Sequence, residues 1–338
     1  MRELTTANAQ AYLTEKGFIG PGPARIDLLG GGVSNIVLRV ETSEHTFILK
    51  QSCPQLRTRD AWFSDLERVF REQEVMQVLE PLLPPLTVPH VLFSDRENFV
   101  FAMSHAPADA RVWKHVLLNG ETDNAVAEHV GEILGSMHDA TGRNPRLVEA
   151  FRDAAVFVQL RVDPFYRRVQ ERRPEVAHMV APIIERMLSA PVALCHGDYT
   201  PKNMLVHSHG CTLVDYETAY YGDPTMDIGL FLCHLLLKAI KFANRHDEYV
   251  DLTYAFWRGY ERTATFRPFP ELQRHGIEHL GVCLLARVDG TSPVEYLDEG
   301  QRASARKLGC QILLESPVIW DDVLQLLRRH SASSFAVA

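Results

Sequence analysis

Apolar positions change their spacing along this chain near residue 104. Before it they come in short runs of the kind a strand buries; beyond it they recur at helical intervals. DLLGGGVSNIVLRVET (27–42) reads as strand, glycine loop, strand, and HTFILKQ (45–51) as a further short strand ending at Lys50. DLERVFREQEVMQVLEPLL (65–83) has apolar residues at 66, 69, 70, 75, 76 and 79, near helical spacing, and Pro84 and Pro85 stop that helix. HVLFSD (90–95) and NFVFAMS (98–104) follow as two strands about a charged Arg-Glu turn. NAVAEHVGEILGSMHDA (124–140) then sets Val126, Val130, Ile133, Leu134 and Met137 on one face. Helical pattern returns at 147–190, 228–242, 248–263 and from 271 onward, interrupted by two short strand runs, Met204–Val206 and Thr212–Val214, that read as a hairpin. The pattern predicts an α+β chain: a β-rich N-terminal lobe with one helix over 1–104 and a mostly α-helical C-terminal lobe over 105–338.

Composition narrows the class. A length of 338 residues suits two lobes, and 46% hydrophobic with 23% charged residues is ordinary for a soluble globular protein. A formal net charge of −8 argues against nucleic acid as the partner. The six cysteines show no C-x-x-C spacing, so neither a disulfide framework nor a zinc site is expected, and a reducing, cytoplasmic setting is the simpler reading. The N-terminal stretch lacks an apolar signal core. The most apolar run, IGLFLCHLLLKAIKF (228–242), is interrupted by His234 and Lys238 and too short for a bilayer, so it predicts a buried helix and no membrane partner.

The chemistry concentrates in CHGDYTPKNMLVHSHGCTLVDYETAYYGDPTMDIG (195–229), which holds Asp198, Asp215, Glu217, Asp223 and Asp227. Carboxylates set this densely repel one another unless something positive lies among them. Asn203, entering the first hairpin strand, and Asp215, leaving the second, offer hard oxygen donors of the sort that Mg2+ shares with nucleotide phosphates. Asp198 is then left to take a proton from an attacking hydroxyl. The His207-x-His209-x-Cys211 triplet falls on the hairpin turn and reads as solvated. Lys202 reads either as a contact to a transferred phosphate or as exposed. RVDPFYRRVQERR (161–173) interleaves acids with its basic residues and reads as a solvated helix face. No G-x-S-x-G or Walker A pattern occurs.

His196-Gly197-Asp198, Asn203 and Asp215 together resemble the catalytic loop and metal-binding aspartate of the protein-kinase-like fold. Gly197, where protein kinases have arginine, points to the small-molecule branch: aminoglycoside phosphotransferases, choline and ethanolamine kinases, methylthioribose kinase. DYETAYYGDPTMDIG is similar to the methylthioribose and choline kinase members, and the resemblance spans roughly residues 25–235. It implies a protein-kinase-like two-lobe fold and an enzyme that moves the γ-phosphoryl of ATP, or GTP, to a hydroxyl of a small molecule: a sugar-like metabolite, an amino alcohol or an aminoglycoside. The implied cofactors are ATP and Mg2+, with Asp198 as base and Asn203 and Asp215 as metal ligands. GGGVSN (30–35) stands at the phosphate loop, with Ser34 and Asn35 in contact with nucleotide. Lys50 matches the strand lysine that grips the phosphates, and Glu72, preferred over Glu74 by the apolar register, matches its helix partner. Met103 to His105 would meet the adenine. Asp227 resembles the buried aspartate that braces the catalytic loop. Eleven residues separate it from Asp215, too few for a peptide-binding activation segment. Glu217 reads as a ligand to metal or acceptor, or else as a salt bridge to a nearby arginine. Asp223, and Arg287 and Asp289 in LLARVDGTSPVEYL (284–297), are the remaining acceptor candidates; a helix cap and turn is the other reading of that segment. A non-catalytic, nucleotide-binding pseudokinase is the alternative, disfavoured by the complete set Lys50, Glu72, Asp198, Asn203 and Asp215.

Overall fold

A computed structural model describes residues 1–30, 35–53 and 65–335. Two compact units emerge. The first comprises residues 1–110 together with 212–217; the second comprises 111–211 and 218–338.

The first unit is built on a five-stranded antiparallel sheet of order β1-β2-β3-β5-β4. Its strands are β1 (Arg25–Leu28), β2 (Asn35–Glu41), β3 (Thr46–Ser52), β4 (Val91–Asp95) and β5 (Val100–Ser104). TFILKQS runs through the sheet's centre and is buried from Phe47 onward, which is why it shows an apolar run rather than alternation. Lys50 sits there opposite Val37 on one side and Phe101 on the other. Helix α1 (Ala9–Glu15) lays Tyr12 and Leu13 on Ile36, Leu38, Val40, Phe47 and Leu49. The Tyr12 hydroxyl donates to Asp95 Oδ2 at 2.8 Å, and Lys16 approaches the same oxygen at 3.0 Å. The sequence pattern predicted one helix in this region; at seven residues α1 is too short to display a period. Helix α2 (Arg68–Leu79) buries Val69, Phe70, Val75, Met76 and Leu79, and Glu72 with them.

The second unit is helical: α3 (Trp113–Leu118), α4 (Asn124–Thr141), α5 (Pro145–Phe151), α6 (Ala155–Phe157), α7 (Arg168–Arg172), α8 (Ala177–Ser189), α9 (Thr225–Lys241), α10 (His246–Thr263), α11 (Phe269–Asp289), α12 (Glu299–Glu315) and α13 (Trp320–Phe335). Helices α4 and α10 touch through glycines. A Cβ at Gly131 would collide with the Phe256 carbonyl, and one at Gly259 with that of Glu128. Helix α9 is buried along most of its length. No helix among the described residues is long and apolar enough to cross a membrane. The helical pattern at 147–190 resolves into several pieces, because Val158–Arg167 winds as a π-helix with Pro164 inside it. Proline cannot donate in the ladder, and the wider turn absorbs the missing bond. Short strands complete the unit: β6 (Arg111–Val112) pairs with β8 (Met204–His207), and β7 (Ala193–Cys195) pairs with β10 (Tyr220–Gly222). Strand β9 (Gly210–Leu213) returns from β8 and carries the chain into residues 212–217.

Candidate active site

In the first unit, β3, α2 and the segment after β9 bring charges of both signs together. Lys50 Nζ lies 2.5 Å from Glu72 Oε2 and 2.7 Å from Asp215 Oδ1. Glu74, the rejected alternative, points to Arg96 at 3.7 Å and is exposed. Glu217 receives Asn35 Nδ2 at 2.8 Å and Arg68 Nε at 3.2 Å. Three carboxylates thus face two cations. Burial opposes the charge on Lys50, but Asp215, Glu72 and Glu217 more than offset it and hold its pKa above the usual lysine range. Glu72 is pushed up to about 7, by burial first and by the charges of Asp215 and Glu217, against the pull of Lys50. Asp215 adopts φ +74°, the left-handed region that aspartate enters more readily than most residues. That turn takes the chain sharply off the end of β9.

In the second unit the loop after β7 is folded around Asp227. Its Oδ2 accepts the backbone N–H of His196 at 2.7 Å and its Oδ1 that of Gly197 at 2.9 Å. Gly197 has φ +76°, and a Cβ there would run into the Thr218 carbonyl. An arginine is therefore excluded here by backbone geometry as well as by bulk. The loop presents Asp198, 7% exposed. Asn203 Nδ2 donates to its carbonyl at 3.0 Å and to its Oδ2 at 2.8 Å. Two cations reach the same carboxylate: Arg161 Nη2 at 2.8 Å and Lys202 Nζ at 3.2 Å. Arg161 also donates from Nε to the Gly197 carbonyl at 2.8 Å, so one guanidinium fixes both loop and side chain.

The donor chemistry within each unit suits a divalent metal. Among the described residues no three His, Cys, Asp or Glu side chains converge as a cage. Each unit has a hard donor of its own: in the first the carboxylate of Asp215, in the second the amide oxygen of Asn203, whose nitrogen is committed to Asp198. Oxygen donors of this kind suit a hard cation such as magnesium, which keeps several waters of its own.

The other expected positions stand in varied settings. Ser34 lies outside the described residues. Met103 is buried in β5, and His105, just beyond the strand, is half-buried with its ring Nδ1 on the Ala106 carbonyl at 2.5 Å. Asp223, expected to line an acceptor mouth, is fully buried. Its Oδ1 caps Thr225 and its Oδ2 meets Arg186 at 3.3 Å. Asp289, expected on the far wall, is clasped by Arg173 and Arg306. Neither carboxylate is available to a ligand without breaking an ion pair, so both are corrected to structural roles. Glu217 takes the arginine bridge that stood as its second reading, with Arg68 as the partner. Arg287 lies in the last turn of α11, partly exposed, its guanidinium 5.8 Å from the Phe165 ring centre. Arg161 was read as part of a solvated face; no sequence signal marks it, because the π-turn that aims it at Asp198 has no periodic signature. Arg68 was missed for a related reason: an arginine in the first turn of α2 looks exposed until its burial is seen.

Comparison with known proteins gives a consistent family. The model of the phosphotransferase enzyme family matches residues 25–270. A methylthioribose kinase of Exiguobacterium sibiricum is 27% identical over 291 residues, covering 77% of this chain and 73% of its own. Among solved structures, an ethanolamine kinase of Plasmodium vivax superposes with a TM-score of 0.60 at 12% identity, over 94% of this chain and 92% of its own. An amicoumacin kinase, solved with AMP-PNP, Ca2+ and Ami, gives 0.58 at 13% identity, over 94% and 96%. At such identities the superpositions speak for the fold alone.

Proposed function

The chain belongs to the phosphotransferase enzyme family and is a small-molecule kinase, and we propose that Asp198 is the base with which it moves the γ-phosphoryl of ATP to an alcohol. The observation that carries this reading is Lys50 gripped between Glu72 at 2.5 Å and Asp215 at 2.7 Å. A buried lysine held charged by two carboxylates is the preorganised cation that nucleotide phosphates require. Asp215 and Asn203 are the proposed ligands of Mg2+, which when bound neutralises phosphate charge. Asn35 and the segment from Met103 to His105 are the proposed nucleotide contacts.

Each group has a separate task. The acceptor hydroxyl oxygen attacks the γ-phosphorus, and the bond from that phosphorus to the β,γ-bridging oxygen breaks. The hydroxyl proton passes to the Asp198 carboxylate, and ADP leaves. Arg161 and Asn203 hold Asp198 still, so little reorganisation remains at the moment of transfer. Arg287 is the proposed acceptor contact on α11. The ion pairs of Asp223 and Asp289 leave those carboxylates little to offer a cationic acceptor such as an aminoglycoside or amino alcohol, which favours a sugar-like metabolite. The test is ADP formation, coupled to a spectrophotometric readout, across sugars, amino alcohols and aminoglycosides. Acceptor-dependent ADP release that disappears in Asp198→Asn supports the reading; nucleotide binding with no turnover on any alcohol defeats it.

A further inference from the structure

Around His234, in the middle of α9, the second unit gathers positive charge from four elements. Lys238 lies one turn further along α9, Arg287 comes from α11, Lys114 from α3, and Lys202 from the short turn after Asp198. Burial first, and then all four charges, hold the His234 imidazole well below its ordinary pKa, hence neutral. Burial first, then Arg287 and Lys202, likewise depress Lys114. Lys238 is buried and Lys114 and Arg287 are half-buried, and like charges do not collect in such a place without a reason, since each raises the cost of the others.

A carboxylate answers the charge of Lys202, through Asp198, but not that of the other three. Lys238 is fully buried, yet its Nζ donates to the His234 carbonyl at 3.0 Å and stands 5.6 Å from the Tyr296 ring centre. Arg287 rests on Phe165, whose ring also carries Arg161. Two polar atoms here are shut from solvent and have no hydrogen-bond partner: Nε of Arg287 and the hydroxyl of Tyr296. Glu295 is the carboxylate whose charge reaches Lys114, and it is exposed. Asp289, two residues past Arg287, is already clasped by Arg173 and Arg306. The cluster adjoins the proposed base, because Lys202 Nζ lies 3.2 Å from Asp198 Oδ2.

We propose that the acceptor is itself an anion: a polyhydroxy compound carrying a phosphate or carboxylate, bound through that oxyanion by Arg287 and Lys114, with Lys238 behind them and the reacting hydroxyl at Asp198. The proposal rests on the kinase reading above and specifies its acceptor. Arg287 presents a planar donor set suited to two oxyanion oxygens, Lys114 a point charge, and neutral His234 a ring nitrogen able to donate. Cationic acceptors would meet the like charges of Arg287 and Lys114, which disfavours them.

The test uses the full chain saturated with AMP-PNP and Mg2+, so that the nucleotide site cannot take up the probe. Calorimetric titration with ribose 5-phosphate, ribonate and ribose separates phosphate, carboxylate and neutral acceptors. At least one of the two anions should bind about tenfold or more tightly than ribose, and that margin should vanish in Arg287→Gln and shrink in Lys114→Gln. Affinity for AMP-PNP should stay within about threefold in both variants, which shows that they remain folded. With ATP in place of AMP-PNP, the preferred anion should release ADP with the lower KM. Ribose binding as tightly as both anions overturns the proposal, as does an anion affinity indifferent to Arg287→Gln. In those cases AMP-PNP still binds and the kinase reading stands. Loss of magnesium-dependent AMP-PNP binding in the unmodified chain would instead remove the kinase reading first.

Discussion

Lys50 and Asp198 are both surrounded by opposite charge, and the difference between their settings decides what each side chain can do. Lys50 is sealed beside Glu72 and Asp215, where losing either partner strands a buried charge. Asp198 keeps some exposure, and its partners, Asn203, Arg161 and Lys202, fix its position. Asp198→Asn should preserve nucleotide binding and lower kcat by roughly 10²–10⁴-fold, the share a positioned base contributes. Near-full turnover in that variant would show that another group takes the proton. The metal donors should separate by charge. Asp215→Ala should abolish the dependence of nucleotide affinity on Mg2+, whereas Asn203→Ala should only weaken it, because an amide offers a dipole where a carboxylate offers a full charge. Equal nucleotide affinity with and without Mg2+ in the unaltered protein would contradict both assignments.

At the scale of elements, the loop between β7 and the turn at Pro201–Asn203 is held by α9 through one side chain, Asp227. Asp227→Asn keeps the shape but puts an amide N–H against one of two backbone N–H groups. Hydrogen bonds to a charged group contribute about 1.5–3 kcal/mol each, so stability should fall by about 3 kcal/mol. Urea unfolding measures that loss, and kcat should drop with it while the KM for ATP holds. An unchanged unfolding midpoint would mean that the loop is held by other contacts. Much of this element was legible beforehand, since His196, Gly197, Asp198 and Asp227 stand at informative spacings and Gly197 has a backbone reason to be glycine. The strands and α2 were legible too, each carrying a clear apolar run or period. What escaped has a common cause. Helix α1 is shorter than two turns, the π-turn at Val158–Arg167 has no hydrophobic period of its own, and Arg68 and Arg161 become buried only through tertiary neighbours. Asp223 and Asp289 misled for the converse reason: a carboxylate near the catalytic loop looks available until its arginine partner is located.

For the molecule as a whole, Lys238 places a titration inside the helical core, and stability must feel it. Burial first, then the charges of Lys114 and Arg287, bring its pKa down to about 7 from the 10.5 of a solvated lysine; Cys233 alone pulls the other way. Unfolding returns the side chain to water and to the ordinary value. Between about pH 7 and 10.5 the unfolded chain therefore binds more protons at this position than the folded one, and stability rises with pH across that window by up to about 1.4 kcal/mol per unit. Below pH 7 both states hold the proton and the slope from this group vanishes. Tyrosines and cysteines also titrate in the alkaline range, so the informative quantity is the difference between Lys238→Met and the unaltered chain. Methionine fills a similar volume without charge. The variant should be more stable near pH 7, and its advantage should shrink steadily as pH is raised toward 10, read as urea midpoints at several pH values. A constant difference would mean that the Lys238 ammonium is solvated in the folded protein. Bound oxyanion changes the sign of the local field: with ribose 5-phosphate or ribonate present, whichever binds, Lys238 should regain its proton at higher pH and the advantage of the variant near pH 7 should contract. A fold that carries an uncompensated ammonium in its core at rest, and is relieved of it by ligand, is more stable with its acceptor than without it.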